Sequence, residues 1–141
     1  LTTVFYVKKG RKNLIQKYDD LYNIIVGVAD KTEYFSPFND DPKIQKEVVS
    51  REILLIRLLN GNRVDSIIGT HPQLEYDINL NGFGGKFEQA DYRPNNDVQI
   101  YIGFSKKSPF ASKIELFNQE IIKLKSEGEI QTIFDNYLKS K

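Results

Sequence analysis

The chain has 141 residues, no cysteine and a formal net charge of +1 at pH 7. Its length suits one domain, and its 40% hydrophobic content is typical of a globular protein. The balanced charge gives no electrostatic reason to expect nucleic acid as a partner, and the missing cysteines exclude a disulfide framework and a thiolate zinc site.

The first part of the chain predicts two strands with a polar segment between them. Continuous apolar, β-branched and aromatic runs predict strands at residues 3–8 and 23–28. A short helical turn is predicted at residues 16–21. Residues 29–42 are rich in turn formers and predict a loop after the second strand. Because ligands of open α/β sheets bind beyond the carboxyl ends of strands, this loop is the first candidate site.

The middle of the chain predicts a strand, a helix and another strand. A short strand is predicted at residues 43–49 and a helix at residues 51–59, with Ser50 as its N-cap. Gly61 follows where a left-handed C-terminal stop is expected. The apolar run at residues 64–69 predicts the next strand. Apolar runs separated by helical segments favour a mainly parallel sheet.

The last part predicts one more strand and two long helices. A short helix at residues 73–79 ends at a glycine cluster, residues 82–85. Residues 97–105 alternate apolar and polar side chains, which predicts a strand with one buried face. Apolar side chains at residues 110–124 recur at helical spacing, and a last helix is predicted at residues 129–138.

The sequence offers little material for catalysis or metal binding. Its one histidine, His71, has no nucleophile motif beside it, and we predict no catalytic residue. Residues 39–41 (Asn-Asp-Asp) lack the ligand spacing of a calcium loop, so no metal site is predicted. The glycines at 82–85 lack the pattern of a phosphate-binding loop. No cofactor is predicted.

Several segments occur in a recognisable order. They are the strand at 3–10, the turn Tyr-Asp-Asp-Leu at 18–21, the strand Ile-Val-Gly-Val at 25–28, the sequence LLNGNRVDSIIG at 58–69, the sequence IYIGFSKKSPF at 100–110, and the terminal helices at 117–137. This order resembles the second lobe, hinge strands and C-terminal helices of family 3 bacterial extracellular solute-binding proteins. The resemblance extends over nearly the whole chain.

The resemblance implies the fold and its division. We expect an α/β, three-layer lobe of a type II periplasmic binding protein, with a central mixed, mainly parallel sheet flanked by helices. The expected parts are a crossover strand at 1–10, solute-binding lobe 2 at 11–96, a return crossover strand at 97–107 and C-terminal helices at 108–141. The other lobe, which in relatives completes the ligand cleft, is not in this chain.

The resemblance also implies four ligand-binding residues. The loop after the first lobe strand, often "GTt-y" in relatives, aligns with residues 31–34 and so indicates Thr32 and Tyr34, with Lys31 in place of the usual glycine. The end of the strand at 64–69 indicates Thr70 and His71. Relatives that bind amino acids commonly have Asp at the position of Thr70, and a hydroxyl cannot supply the same ion pair to an ammonium group.

The implied function is capture of a small polar solute, an amino acid or related organic acid, for the permease of an ABC transporter. We expect a periplasmic protein. Since the chain has no methionine with which translation could start, we expect its export signal to be absent from this chain. An extracytoplasmic sensor domain of a receptor kinase or cyclase is the alternative, and an enzyme on the same fold is a third. Because its usual cover is absent, the apolar stripe at 110–124 predicts either a dimer of the chain or helices packed differently from those of the family.

Overall fold

The computed structural model describes residues 1–96 and 99–139. It divides into two compact units, Leu1–Gln99 and Ile100–Lys141. Among the described residues, no helix is long and apolar enough to cross a membrane.

The first unit holds five strands and two α-helices. The strands are Thr2–Lys8 (β1), Ile25–Ala29 (β2), Gln45–Val49 (β3), Ser66–His71 (β4) and Phe87–Gln89 (β5). The helices are Glu52–Asn60 (α1) and Gln73–Leu80 (α2). Three short 3-10 helices lie at Lys12–Leu14, Tyr18–Asn23 and Phe38–Asp40. Every strand and helix predicted within residues 3–79 is present, with ends that differ by up to two residues.

The strands form one mixed sheet in the order β3-β2-β4-β1-β5. β2 is parallel to both β3 and β4, whereas β1 is antiparallel to β4 and β5. Four strands therefore point one way and β1 points the other way. This confirms the predicted mixed, mainly parallel sheet.

The sheet buries both of its faces. On one face, α1 and α2 pack Leu55, Leu59 and Leu74 against the strands. The other face is covered by the 3-10 helices and by aromatic side chains around Phe5, whose ring meets Phe38 edge-on at 5.8 Å. Alternation along β1 explains the two cores, because successive side chains of a strand point to opposite faces.

Close packing of α2 on β4 depends on a glycine. Gly69 lies in β4, and a Cβ built there would be 2.7 Å from Cδ2 of Leu74. Leu74 is itself 4% exposed in the core. The missing side chain thus lets the start of α2 lie directly on the strand.

Both predicted caps of α1 are wrong. The N-cap is Arg51 rather than Ser50, and no side chain caps the helix. Gly61 has φ −80°, so it is not the left-handed stop. Asn62 takes that conformation at φ 56°. The Arg63 N–H bonds the Leu58 carbonyl and the Asn62 N–H bonds the Leu59 carbonyl, as in a Schellman motif, because the helix runs one residue further than predicted.

Two features of the chain after α2 differ from prediction. Strand β5 was not predicted, because its three residues are too few for a visible pattern. The strand predicted at 97–105 does not form over residues 99–105, and residues 97 and 98 lie outside the described part. Ile100 and Ile102 are 69% and 61% exposed. Alternation yields a strand only where another strand takes its hydrogen bonds, and the described residues provide none here.

The second unit is a pair of helices, Ile114–Ser126 (α3) and Glu129–Lys139 (α4), preceded by a 3-10 helix at Ala111–Lys113. Gly128, at φ 74°, makes the turn between α3 and α4. The ring of Phe117 contacts those of Phe104 at 4.9 Å and Phe110 at 6.3 Å. The two predicted helices are thus confirmed within the described residues.

Candidate functional site

The sheet stops pairing between β2 and β4 at the edge where both strands end. Pairing of β2 with β4 ends at Gly27 and Ile67, whereas β4 continues to His71 alongside β1. The strand that follows β2 in the chain, β3, lies on one side of β2, and the strand after that, β4, lies on its other side. Open α/β sheets bind ligands in the crevice at such a reversal of strand order. We call the carboxyl ends of β2 and β4 the crevice edge.

The loop that follows β2 brings Thr32 to the crevice edge. Lys31 has φ 56°, the left-handed conformation that glycine adopts most easily, so the backbone keeps a glycine-like shape at the position where relatives have glycine. Thr32 is exposed, and its hydroxyl makes a long bond, 3.5 Å, to the Asp30 carbonyl and also hydrogen-bonds the Tyr34 side chain. The Thr32 hydroxyl therefore lies exposed at the crevice edge with partners inside its own loop.

Tyr34 has an internal role. Its hydroxyl oxygen accepts the Ala29 N–H at 2.9 Å, at the end of β2 beyond the last residue that pairs with β4. Its own N–H donates to Oδ1 of Asn39 at 2.9 Å, and its ring meets that of Phe38 edge-on at 5.9 Å. Burial raises the pKa of Tyr34. Tyr34 thus fixes the loop, and a direct contact with ligand stays a prediction.

The other two predicted residues lie at the end of β4. Thr70 is half-buried and pairs in register with Thr3 of β1. The Nδ1 atom of His71 lies 3.2 Å from Oε2 of Glu75 and 3.1 Å from Nε2 of Gln89. A protonated Nδ1 donates to the carboxylate, and an unprotonated one accepts from the amide, so His71 serves one partner at a time.

A buried tyrosine completes the polar cluster around His71. The Tyr6 hydroxyl donates a hydrogen bond to Oε2 of Glu75 over 3.5 Å and accepts one from Nε2 of Gln89 at 3.1 Å. Burial, more than the nearby carboxylate, raises the pKa of Tyr6 to about 12. The cluster joins β1, β4, α2 and β5, so it ties His71 into the helix-covered face of the sheet.

A cavity of about 300 Å³ lies at the start of β1, which is also the end of β4. Its lining consists of Thr2, Thr3, Arg93, Pro94, Asn95 and Asn96. Nδ2 of Asn96 donates to Oγ1 of Thr3 at 3.0 Å and to the Tyr34 carbonyl at 3.2 Å. Asn96 therefore connects the cavity to the loop that carries Thr32.

Sequence reasoning missed this cavity. Residues 93–96 come from a short polar turn after β5, and β5 itself was not predicted. The available signal was the sequence Arg-Pro-Asn-Asn at 93–96, a charged and amide-rich segment typical of a turn. The structure brings this turn to the same edge as Thr70, since Thr70 pairs with Thr3 and Thr3 bonds Asn96.

The arrangement suits binding. Among the described residues, hydroxyls, amides, a guanidinium and an imidazole lie around the crevice edge, and the imidazole bonds either Glu75 or Gln89. In residues 1–96 and 99–139 no group of three or more His, Asp or Glu side chains could hold a metal ion. The side chains that line the cavity are neutral or, at Arg93, cationic, and Oδ1 of Asn96 is buried without a hydrogen-bond partner among the described residues.

No protein-family model matches the chain, and no curated protein matches it in sequence. Solved structures do resemble it. The second substrate-binding domain of a putative amino acid ABC transporter from Streptococcus pneumoniae is 26% identical with a TM-score of 0.65, over 97% of this chain and 60% of that one. The arginine-bound substrate-binding protein AbpA from the same species is 19% identical with a TM-score of 0.71, over 98% and 57%.

A third structure is the ligand-binding core of GluR0 from Nostoc punctiforme with L-glutamate, 20% identical with a TM-score of 0.62, over 96% of this chain and 60% of that chain. These likenesses establish the fold: the chain folds as the second domain of a type II, family 3 solute-binding protein. The chain spans about 60% of the length of these structures.

Proposed function

We propose that this chain is a ligand-binding lobe that captures a small polar solute for an ABC transporter outside the cytoplasm, without catalysing a reaction. The observation that carries the proposal is the crevice edge, where the sheet stops pairing between β2 and β4. Polar side chains from the loop after β2, from the end of β4 and from residues 93–96 converge there. The likeness to substrate-binding proteins of amino acid transporters supports the same conclusion.

The proposed ligand residues have separate tasks. Thr32 donates its exposed hydroxyl to the solute, and Thr70 contributes a second hydroxyl from β4. Tyr34 and His71 flank these two residues, and each already has protein partners. Tyr34 and His71 therefore shape the crevice as well as bordering the solute.

Isotope-edited NMR of the chain tests the proposal, because chemical-shift changes detect even millimolar binding. A panel of amino acids, organic acids and polyamines is added at constant ionic strength. We expect one class of compound to shift the amides of residues 29–34, 70–71 and 93–96. The amides near Lys8 and Asn60 serve as the internal control. These two residues lie at the opposite edge of the sheet, where Nζ of Lys8 donates to the Asn60 carbonyl. Shifts spread evenly over both edges would contradict a site at the crevice edge.

A sensor domain of a membrane receptor is the second candidate, favoured by the likeness to the GluR0 ligand-binding core. Both candidates use the same crevice, so solute binding does not separate them. Co-purification from membranes does: a transport component associates with a permease, whereas a sensor domain is recovered in the same polypeptide as a kinase or cyclase.

The predicted dimer of the chain remains a proposal about the second unit. Its helices expose large apolar side chains, including Ile122 at 67% and Ile133 at 62%. Exposed apolar surface of this kind favours association. Sedimentation velocity at several concentrations checks it, and Ile122→Asp should shift the chain toward monomer. A monomer at every concentration would contradict the proposal.

A further inference from the structure

We propose that His71 is a proton-operated switch: the neutral ring is held by Gln89 of β5, and the protonated ring is held by Glu75 of α2. The contacts form a closed loop of four side chains, which we call the His71 cluster: Tyr6, His71, Glu75 and Gln89. β4 ends at His71, so the switch makes one side of the crevice edge respond to pH. It operates in the chain without any solute.

In the neutral cluster both hydrogens of the Gln89 amide have an acceptor. Nε2 of Gln89 lies 3.1 Å from Nδ1 of His71 and 3.1 Å from the Tyr6 hydroxyl. An amide –NH₂ group has two hydrogens to donate, so it can bond both partners at once. Nδ1 accepts a hydrogen bond only when it carries no proton. Gln89 therefore selects the tautomer of His71 that has its hydrogen on Nε2.

Protonation of His71 reverses one of these contacts. Nδ1 then carries a hydrogen and cannot accept one from the Gln89 amide. Oε2 of Glu75 lies 3.2 Å from Nδ1, in position to accept that hydrogen. A hydrogen bond between two charged groups is stronger than one between neutral groups, so the ring bonds Glu75 instead of Gln89. One proton thus changes the partner of the end of β4 from a strand to a helix.

The groups around the cluster keep their charge while the imidazole titrates. Imidazole is the side chain that normally changes charge between about pH 5 and 8. The pKa of Tyr6 is raised to about 12, mainly by burial, so its hydroxyl keeps its proton in this range. The Arg93 guanidinium lies near enough to lower the pKa of Tyr6, and arginine side chains stay charged at these pH values. Among the described residues, the carboxylate that pairs with the ring is that of Glu75.

The test is an NMR titration of the wild-type chain from about pH 5 to about pH 9, without solute. His71 is the one histidine of the chain, so its ring gives a single set of nitrogen signals. At high pH we expect the hydrogen on Nε2. We expect the side-chain amide of Gln89 and the backbone amides of Thr70 and His71 to change with the same pH midpoint as the ring. This outcome needs no variant, so it does not depend on the folding of one.

Two variants should move the midpoint of the His71 titration in opposite directions. Glu75→Gln removes the partner of the protonated ring and should lower the midpoint. Gln89→Met removes the partner of the neutral ring and should raise it. Each shift should be about 0.2–0.7 pH unit, the size expected of a half-exposed pair, because the His71 and Glu75 side chains are 38% and 40% exposed. In Gln89→Met the neutral ring should also lose its preference for a hydrogen on Nε2.

Two control variants remove other acids. Asp77→Asn removes an equal charge from α2, where the Asp77 carboxylate bonds the Gln73 amide at 3.2 Å. Glu52→Gln removes an acid whose pKa is raised by burial and by Asp77, which brings its titration closer to that of an imidazole. In both controls the Gln89 amide should still change together with the His71 ring, and the midpoint should move less than in Glu75→Gln.

Several outcomes would overturn the switch. One is a side-chain amide of Gln89 that does not respond when the ring gains its proton, and another is a neutral ring with its hydrogen on Nδ1. Shifts of the same sign in Glu75→Gln and Gln89→Met would also overturn it. An equal shift in Asp77→Asn and Glu75→Gln would mean a general charge effect and would count against it in the same way. None of these outcomes bears on solute capture, because no solute is present.

Discussion

Replacing Tyr34 by Phe tests whether the loop after β2 is held in place by the protein itself. The Tyr34 hydroxyl accepts the Ala29 N–H at 2.9 Å, and Ala29 is only 7% exposed. Phe keeps the ring contact with Phe38 but leaves this buried N–H without the hydroxyl. A buried donor that loses its partner costs about 1–3 kcal/mol. We therefore expect Tyr34→Phe to lower the free energy of unfolding by that amount.

Urea denaturation followed by circular dichroism measures this loss. Tyr101→Phe is the matched control, because Tyr101 is 84% exposed and the same atom is removed. Its effect should stay within about 0.5 kcal/mol. Wild-type stability in Tyr34→Phe would refute the internal role of the hydroxyl. If solute affinity then fell while stability did not, Tyr34 would act on the ligand directly, as the sequence predicted.

Three further predictions concern the core and the titration of buried groups. Gly69→Ala should destabilise the chain by about 1–3 kcal/mol in the same urea assay, because the new methyl group would meet Leu74 at 2.7 Å; unchanged stability would mean that α2 moves freely. Burial raises the pKa of Tyr6 from 10.0 to about 12. The neutral side chain therefore contributes about 3 kcal/mol to the free energy of unfolding below about pH 10, and this contribution is lost as the pH rises toward 12. Tyr6→Phe should remove this alkaline loss, and an identical pH profile would contradict it. The Lys43 backbone N–H and two tyrosine hydroxyls lower the pKa of Asp41, so its contribution is present above about pH 4 and is lost as the pH falls through its folded value; Asp41→Asn should flatten the acid limb of stability against pH.

The sequence predicted local elements well where the pattern and the final environment agree. β1 and β2 are apolar runs that end up between two covered faces. α1 and α2 have apolar side chains at helical spacing that pack on one face of the sheet. The resemblance, carried by the order of short motifs, led to the correct fold.

The capping residues of α1 could not be predicted from the local sequence. Ser50 and Gly61 are the best capping residues by type, but the structure uses Arg51 and Asn62. A shift of one residue in the helix end changes which residue must be left-handed, and propensity differences between Gly and Asn are too small to fix that position. Leu55 and Leu59, in the last two turns of α1, are packed in the core.

The candidate site was predicted in part. Thr32 and Thr70 were placed at strand ends, and the structure puts both at the edge where β2 and β4 stop pairing. Their roles in binding stay predictions. The bonds that occupy Tyr34 and His71 could not be read from the sequence, because Ala29 and Gln89 are brought to them by the loop and by β5.

The sequence by itself determined the segments: which runs become strands, which become helices, and which type of fold can hold them in that order. Periodicity and apolar content decide this, because they fix which side chains each segment must bury. Only the tertiary structure decided that β1 runs against its neighbours, that residues 99–105 form no strand, and that Thr3, Arg93 and Asn96 line one cavity. These features depend on contacts between residues far apart in the chain, such as Asn96 with Thr3, and no local pattern encodes such a contact.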